Sequence, residues 1–206
     1  MRELIHYATI HDMPHALIPK RGRARAKVAS YHELLAGFYT DLAVQLLDQH
    51  EQHPFHRVYQ EGYTGERNIE DSSAAVHLPA ICLQGFGAQI MVTEHSALNL
   101  LGLMLGKDFV PVSEALKTKP LEEVLALLSA EHVPEFRALF TDFFQGLEYG
   151  DIMAAREHWI GRNIASTLQE GEKGVLFLGK GHKPDNIQRY LEGVKYTYID
   201  LFPIIK

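Results

Sequence analysis

The chain has 206 residues, 46% hydrophobic and 22% charged, a globular profile long enough to bury roughly 70% of its unfolded surface without disulfides or a structural metal. Its one cysteine, Cys82, excludes an intramolecular disulfide, a zinc ribbon and an iron-sulfur cluster. Twenty basic against 26 acidic residues give a net charge of -6, which weighs against a general nucleic-acid binder. No apolar run reaches the roughly 20 residues of a bilayer span, and His6, His11, Asp12 and His15 make the start unlike a signal peptide, so a cytoplasmic protein is expected.

Taken in chain order, Glu3 to Thr9 carries β-type residues and ends in a polar loop, as a first strand would. Val28, Tyr31, Leu35, Phe38, Leu42 and Leu46 then recur at three- and four-residue intervals, which predicts an amphipathic helix from about Ala24 to Gln49. A second strand is expected over Arg57 to Tyr63, a short helix over Leu78 to Phe86, and a third strand over Ala88 to Thr93. Helical spacing continues over Ser96 to Leu105, Leu121 to Ser129, Pro134 to Leu147 and Ile152 to Leu168, with Ser113 and Asp151 as N-caps. Gly174 to Gly179 is continuously apolar between glycines, the pattern of a strand buried on both faces. A helix from Pro184 to about Glu192 and a strand from Lys195 to Asp200 close the chain. Alternating strands and helices predict a single α/β domain over residues 1–206. It has a mainly parallel sheet of about five strands flanked by helices, and a helical insert at about 95–150 between strands three and four.

In such a sheet the ligand crevice lies beyond the carboxyl ends of the strands. The predicted strands deliver His11 with Asp12, then Glu61, then Glu94 with His95, and finally His182 to that edge. With 12 histidines in the chain, imidazoles and carboxylates converging there are expected to activate a water by general base catalysis or to hold a divalent metal. Each residue also has a plainer role open to it. His11 would cap a loop carbonyl, Glu61 would be a solvated strand-end carboxylate, and Glu94 would N-cap the following helix.

The pattern resembles the TraB/PrgY, ChaN, TIKI and erythromycin esterase superfamily. Its members share two GxxH motifs at strand ends, a glutamate after another strand, and an arginine on a helix before the second motif. Here the second motif stands as Gly179-Lys180-Gly181-His182, the first as Ala8-Thr9-Ile10-His11 with alanine in place of glycine, and the glutamate as Glu61 in Tyr59-Gln60-Glu61-Gly62. Arg156-Glu157-His158-Trp159 matches the arginine helix, with Arg162-Asn163 as a competing match. The resemblance implies a hydrolase of ester or peptide-type bonds in which His11, Glu61, Arg156 and His182 are catalytic, and Glu94, Arg162 and Lys180 contact a small-molecule or peptide substrate. It also implies a divalent metal on His11, Glu61 and His182 as one option. The alternative is a non-catalytic protein of ChaN type that binds haem or iron, and a third class keeps the fold without chemistry. Neither nucleic acid nor membrane is an expected partner, and a homo-oligomer remains open.

Other features have plainer explanations. Lys20 to Lys27 packs five positive charges into a loop entering a helix, and His50, His53 and His56 flank Pro54 in a connection without a carboxylate scaffold. Cys82 lies in an apolar stretch and is expected to pack rather than react. Phe136, Phe140, Phe143 and Phe144 follow helical spacing, as a core or oligomer face would.

Overall fold

The computed structural model describes residues 1–9, 23–65, 75–95, 109–116, 118–128, 130, 133–134, 137–138 and 152–201, the side chains of 23–30, 109–111, 113, 121 and 152 excepted. The strands are β1 (Arg2–Thr9), β2 (Arg57–Gln60), β3 (Gln89–Met91), β4 (Lys173–Gly179) and β5 (Val194–Asp200). The helices are α1 (Arg23–Gln52), α2 (Leu78–Gly85), α3 (Phe109–Leu116), α4 (Leu121–Leu125), α5 (Ile152–Thr167) and α6 (Pro184–Gln188). All strand pairs are parallel and the sheet order is β3-β2-β4-β1-β5. This is the expected α/β architecture. No described helix is long and apolar enough to cross a membrane.

The apolar run of β4 explains its central position. Val175 and Phe177 enter a core with Leu35, Tyr39 and Leu46 of α1, whereas Leu176 and Leu178 enter a second core with Ile160 and Ile164 of α5 and Ile187 of α6. All four β4 side chains are fully buried, each contributing about 1.5–3 kcal/mol relative to exposure. Successive residues of a strand point to opposite faces, so helices cover both sides and loops and charged groups are left to the strand ends. Arg57 closes the amino end with a bidentate pair to Glu172, at 2.9 and 2.8 Å.

Several bounds differ from those expected. β2 stops at Gln60, because Tyr63 N–H donates to the Gln60 carbonyl and Gly62 takes φ +78°, a turn position that favours glycine. β3 and α6 are each shorter than the sequence suggests. Ser113 lies inside α3 rather than at its start. Of the predicted insert, α3 and α4 are described; Asp151, Ser96 to Leu105, most of Pro134 to Leu147 and its phenylalanines, and Lys20 with Arg21 lie outside the described residues.

The packing of α5 on α6 depends on Gly161. A β-carbon there would meet the Tyr190 ring at 2.7 Å and the Ile187 carbonyl oxygen at 2.9 Å. Gly161→Ala is therefore expected to cost about 1–3 kcal/mol by overpacking, despite alanine's better helix propensity. Urea denaturation checks this, and a variant as stable as the parent would contradict it.

Candidate functional site

Four of the residues singled out by sequence meet at the carboxyl edge of the sheet. Glu61 is at the second position of the turn that ends β2. Its Oε2 accepts the Gly179 backbone N–H at the end of β4, and its Oε1 lies 3.1 Å from His182 Nε2 and 3.4 Å from Arg156 Nη2. Gly179-Lys180-Gly181-His182 is itself a turn, closed by the His182 N–H on the Gly179 carbonyl at 3.1 Å, which folds the imidazole back over β4. Gly181 has neither a left-handed φ nor any atom within 4 Å of an added β-carbon. The strand register pairs Gly179 with Thr9 and Leu178 with Ala8, so the two motif segments are offset by one residue. His11 itself lies outside the described residues.

Arg156 projects from the first half of α5. Its Nε and Nη2 donate to the two oxygens of Glu94 at 2.9 and 2.6 Å, a bidentate geometry that fixes the guanidinium plane. Glu94 also accepts the Gly62 N–H at 3.0 Å, and its own N–H and that of Thr93 both bond to the Tyr63 carbonyl. Glu94 thus occupies a place between the β2 turn and Arg156; the helix it would cap lies outside the described residues.

On the other side of His182, Nδ1 is 3.4 Å from Glu157 Oε1, close enough for ion pairing but without hydrogen-bond alignment. Glu157 accepts the Lys183 N–H at 2.7 Å and the Asn186 side-chain amide at 2.6 Å, which anchors the start of α6. In the sequence Glu157 stands out only as the neighbour of Arg156. The signal was its three-residue lead on Ile160, which aims both residues at the sheet-facing side of α5.

The result is a file of alternating charge: Glu94, Arg156, Glu61, His182, Glu157. Burial alone pushes the His182 pKa down, but the carboxylates of Glu157 and Glu61 outweigh it and raise the value from 6.5 to about 9. His182 is therefore an imidazolium at neutral pH. Burial pushes Glu157 up, yet His182, Asn186 and Lys183 bring it below its ordinary value. Arg156 remains charged, its burial opposed by Glu94 and Glu61. The side chains of Glu94 and His182 are only 1% and 2% exposed, against 13% for Glu61 and 18% for Arg156. Solvent therefore meets the middle pair, and the outer groups hold it from behind.

The remaining candidates lie elsewhere. Arg162, the competing arginine, is exposed, donates to the His158 carbonyl at 3.4 Å and sits 5.7 Å from the Tyr190 ring centroid. Lys180 pairs with Asp200 at 3.0 Å on the β5 side. His50 contacts the Phe86 carbonyl and accepts the Phe55 N–H, while His56 accepts the Lys173 N–H, all structural roles. Burial raises the Cys82 pKa, which suits packing better than nucleophilic attack. Trp159, one turn beyond Arg156 and the only tryptophan in the chain, meets the His95 ring edge-on at 4.9 Å.

A metal on Glu61 and His182 does not fit this arrangement, because both imidazole nitrogens face carboxylate oxygens and neither directs a lone pair to an open position. Among the described residues, no three His, Cys, Asp or Glu side chains are placed to hold a metal ion.

His182 also sets an expected pH dependence of stability. The fold holds its proton more tightly than the unfolded chain does, so this stabilisation is complete below pH 6.5 and is lost as pH rises through about 9. Its size is on the order of 3 kcal/mol, at about 1.4 kcal/mol per pKa unit. His6 acts oppositely: burial and the charge on His182 lower its pKa from 6.5 to about 3, so stability falls as pH drops through that interval. Denaturation from about pH 5 to about pH 10 should show decline on both sides of the neutral region. The alkaline decline should shrink in His182→Gln, and an unchanged alkaline limb in that variant would count against the assignment.

Comparison of the chain with known protein families, with curated proteins and with solved structures finds no match.

Proposed function

We propose that the protein is a hydrolase of ester or peptide-type bonds, related to the TraB, ChaN and TIKI superfamily, whose reacting pair is Glu61 and Arg156. The observation that carries this reading is that the least buried members of the charge file are a carboxylate and a guanidinium in contact, each fixed from behind by a buried group of opposite charge. Fixed charges beside a forming oxyanion are the largest single source of rate in acyl transfer, because they need no reorganisation during reaction.

In this mechanism Glu61 takes a proton from a water as the water oxygen bonds to the carbonyl carbon. The carbonyl oxygen becomes negative and meets Arg156 Nη1, whose partner among the described residues is only the Met153 sulfur at 3.7 Å. Collapse of the tetrahedral intermediate breaks the bond to the leaving group, which receives the proton from Glu61. His182 is a positioning residue: its imidazolium and the Gly179 N–H hold Glu61 in place, and Glu157 keeps that imidazolium charged.

Haem or iron binding finds less support, since an axial imidazole needs a nitrogen lone pair free for iron, and in His182 Nε2 bonds to Glu61 while Nδ1 faces the Glu157 carboxylate at 3.4 Å. The test is turnover of a panel of nitrophenyl esters and peptide anilides. Activity is expected to be steady through neutral pH and to decline as His182 loses its proton near pH 9. No turnover across the panel, or turnover unaffected by Glu61→Gln, would overturn the reading.

A further inference from the structure

Glu157 faces His182 and stops short of a hydrogen bond to it. Its side chain is 2% exposed, and its Oε1 stands 3.4 Å from Nδ1 without alignment. Both of its oxygens are held elsewhere: Oε1 accepts the Lys183 N–H at 2.7 Å and Oε2 accepts the Asn186 side-chain amide at 2.6 Å. The aligned bond of the imidazole is on its other side, from Nε2 to Glu61 at 3.1 Å. A carboxylate free to move this close to an imidazolium would close the gap, because charge-assisted hydrogen bonds are about twice as strong as neutral ones. The gap therefore points to the group that keeps Glu157 back.

Asn186 is placed for this by the chain that follows His182. Pro184 opens α6, since its fixed φ suits the first helical position, and the Asn186 N–H closes the first turn on the Lys183 carbonyl at 3.1 Å. The orientation of the Asn186 amide is fixed from both ends. Nδ2 donates to Glu157, and Oδ1 accepts from Arg189 Nη2 at 2.9 Å, three residues on and so on the same side of the turn. The reverse orientation would set oxygen against carboxylate and N–H against guanidinium. Arg189 is exposed, so one amide links a surface cation to a buried acid.

We propose that Asn186 is a positioning residue of the site: oriented by Arg189, its amide holds Glu157 on α6 and off His182, so that the imidazolium gives its aligned bond to Glu61. Glu157 then acts as a counter-charge across a gap and not as a rival acceptor. Hydrogen bonds to a carboxylate make it a poorer proton acceptor. Burial raises the Glu157 pKa, and His182, Asn186 and Lys183 together bring it below its ordinary value, so the pull of this carboxylate on a proton is divided among three neighbours. The sign of the effect follows. Without the amide, Glu157 gains basicity and freedom, moves onto Nδ1 and draws the ring away from Glu61. The other groups that act on His182, Arg156 of α5 and His6 of β1, are left in place by the change. The inference rests on the hydrolase reading for its effect on turnover, and on the geometry alone for its effect on His182.

Proton–nitrogen NMR titration of histidine-labelled protein tests it, with the His182 ring assigned by its loss in His182→Gln. In the parent the ring titrates near pH 9. In Asn186→Ala the titration is expected to move up by about one pH unit, the scale of one hydrogen bond, and the Nδ1–H signal to move downfield as Glu157 accepts it. Arg189→Met, at an exposed position, should move both in the same direction by less, and it decides the matter if Asn186→Ala fails to fold. On ester substrates kcat should fall in Asn186→Ala with KM unchanged, and its alkaline limb should follow His182 upward. A lower melting temperature with the parent's His182 titration in both variants would show that Asn186 serves α6 alone and would overturn the proposal, as would a titration that moves down. No ester turnover in the parent, with the titration shifted as expected in the variants, would keep Asn186 in its role and remove only the hydrolase reading.

Discussion

Arg156→Met is expected to cost about 3–5 kcal/mol of stability, because it leaves Glu94 as a buried carboxylate without its counter-charge. Glu94 is 1% exposed and keeps only its bond from Gly62 and its place beside the new thioether. Lost packing of the arginine stem is a smaller contribution. A variant that fails to fold would not separate structure from function, so the second half of the cycle matters more. Removing both charges, in Arg156→Met with Glu94→Met, should restore most of the stability, since an apolar pair of similar size often replaces a buried ion pair without loss. Activity should not return with it, because the oxyanion then lacks its cation. Chemical denaturation and ester turnover on the three proteins check both halves. A double variant as stable and as active as the parent would show that the pair is structural only.

Glu61→Gln is the second large effect. The amide preserves shape and offers one oxygen, so the Gly179 N–H or His182 keeps an acceptor and the fold should persist. What disappears is the group that takes the proton from water, a contribution of about 10²–10⁴ in rate, together with one of the two counter-charges, beside Glu157, that hold His182 protonated. Two readouts should therefore move together: kcat falls by that factor with little change in KM, and the His182 pKa falls from about 9 towards its ordinary value. A fall in kcat without a change at His182 would separate Glu61 from the file of charges. A change at His182 without a fall in kcat would leave the carboxylate structural.

Much of this arrangement was legible in the sequence, for identifiable reasons. The strand at Gly174 to Gly179 is apolar at every position between its glycines, and only a central strand covered on both faces can bury all of them. Glu61, Glu94 and His182 follow from strand order plus the rule that ligand crevices lie beyond carboxyl ends, the helix of α5 follows from its apolar spacing, and Arg156 follows only from the resemblance to the superfamily's arginine helix. Pairing was harder to see. Glu94 reads as an exposed helix cap in sequence because nothing local distinguishes a carboxylate facing solvent from one facing an arginine 62 residues later. Glu157 and His6 were missed for a related reason. A carboxylate next to a motif arginine and a histidine inside a strand are ordinary residues until the fold brings His182 between two acids and His6 against Tyr196. Strand ends also moved: the turn at Gly62 shortens β2 and so puts Glu61 at the rim instead of within the ladder.

Nitrogen chemical shifts of the His182 ring at neutral pH test the electrostatic arrangement most directly. If the imidazole is held between Glu61 and Glu157, both nitrogens carry protons at pH 7 and the ring titrates near pH 9. A ring that is neutral at pH 7, with one bare nitrogen, would contradict the account, because Glu61 would then lack the fixed charge that positions it.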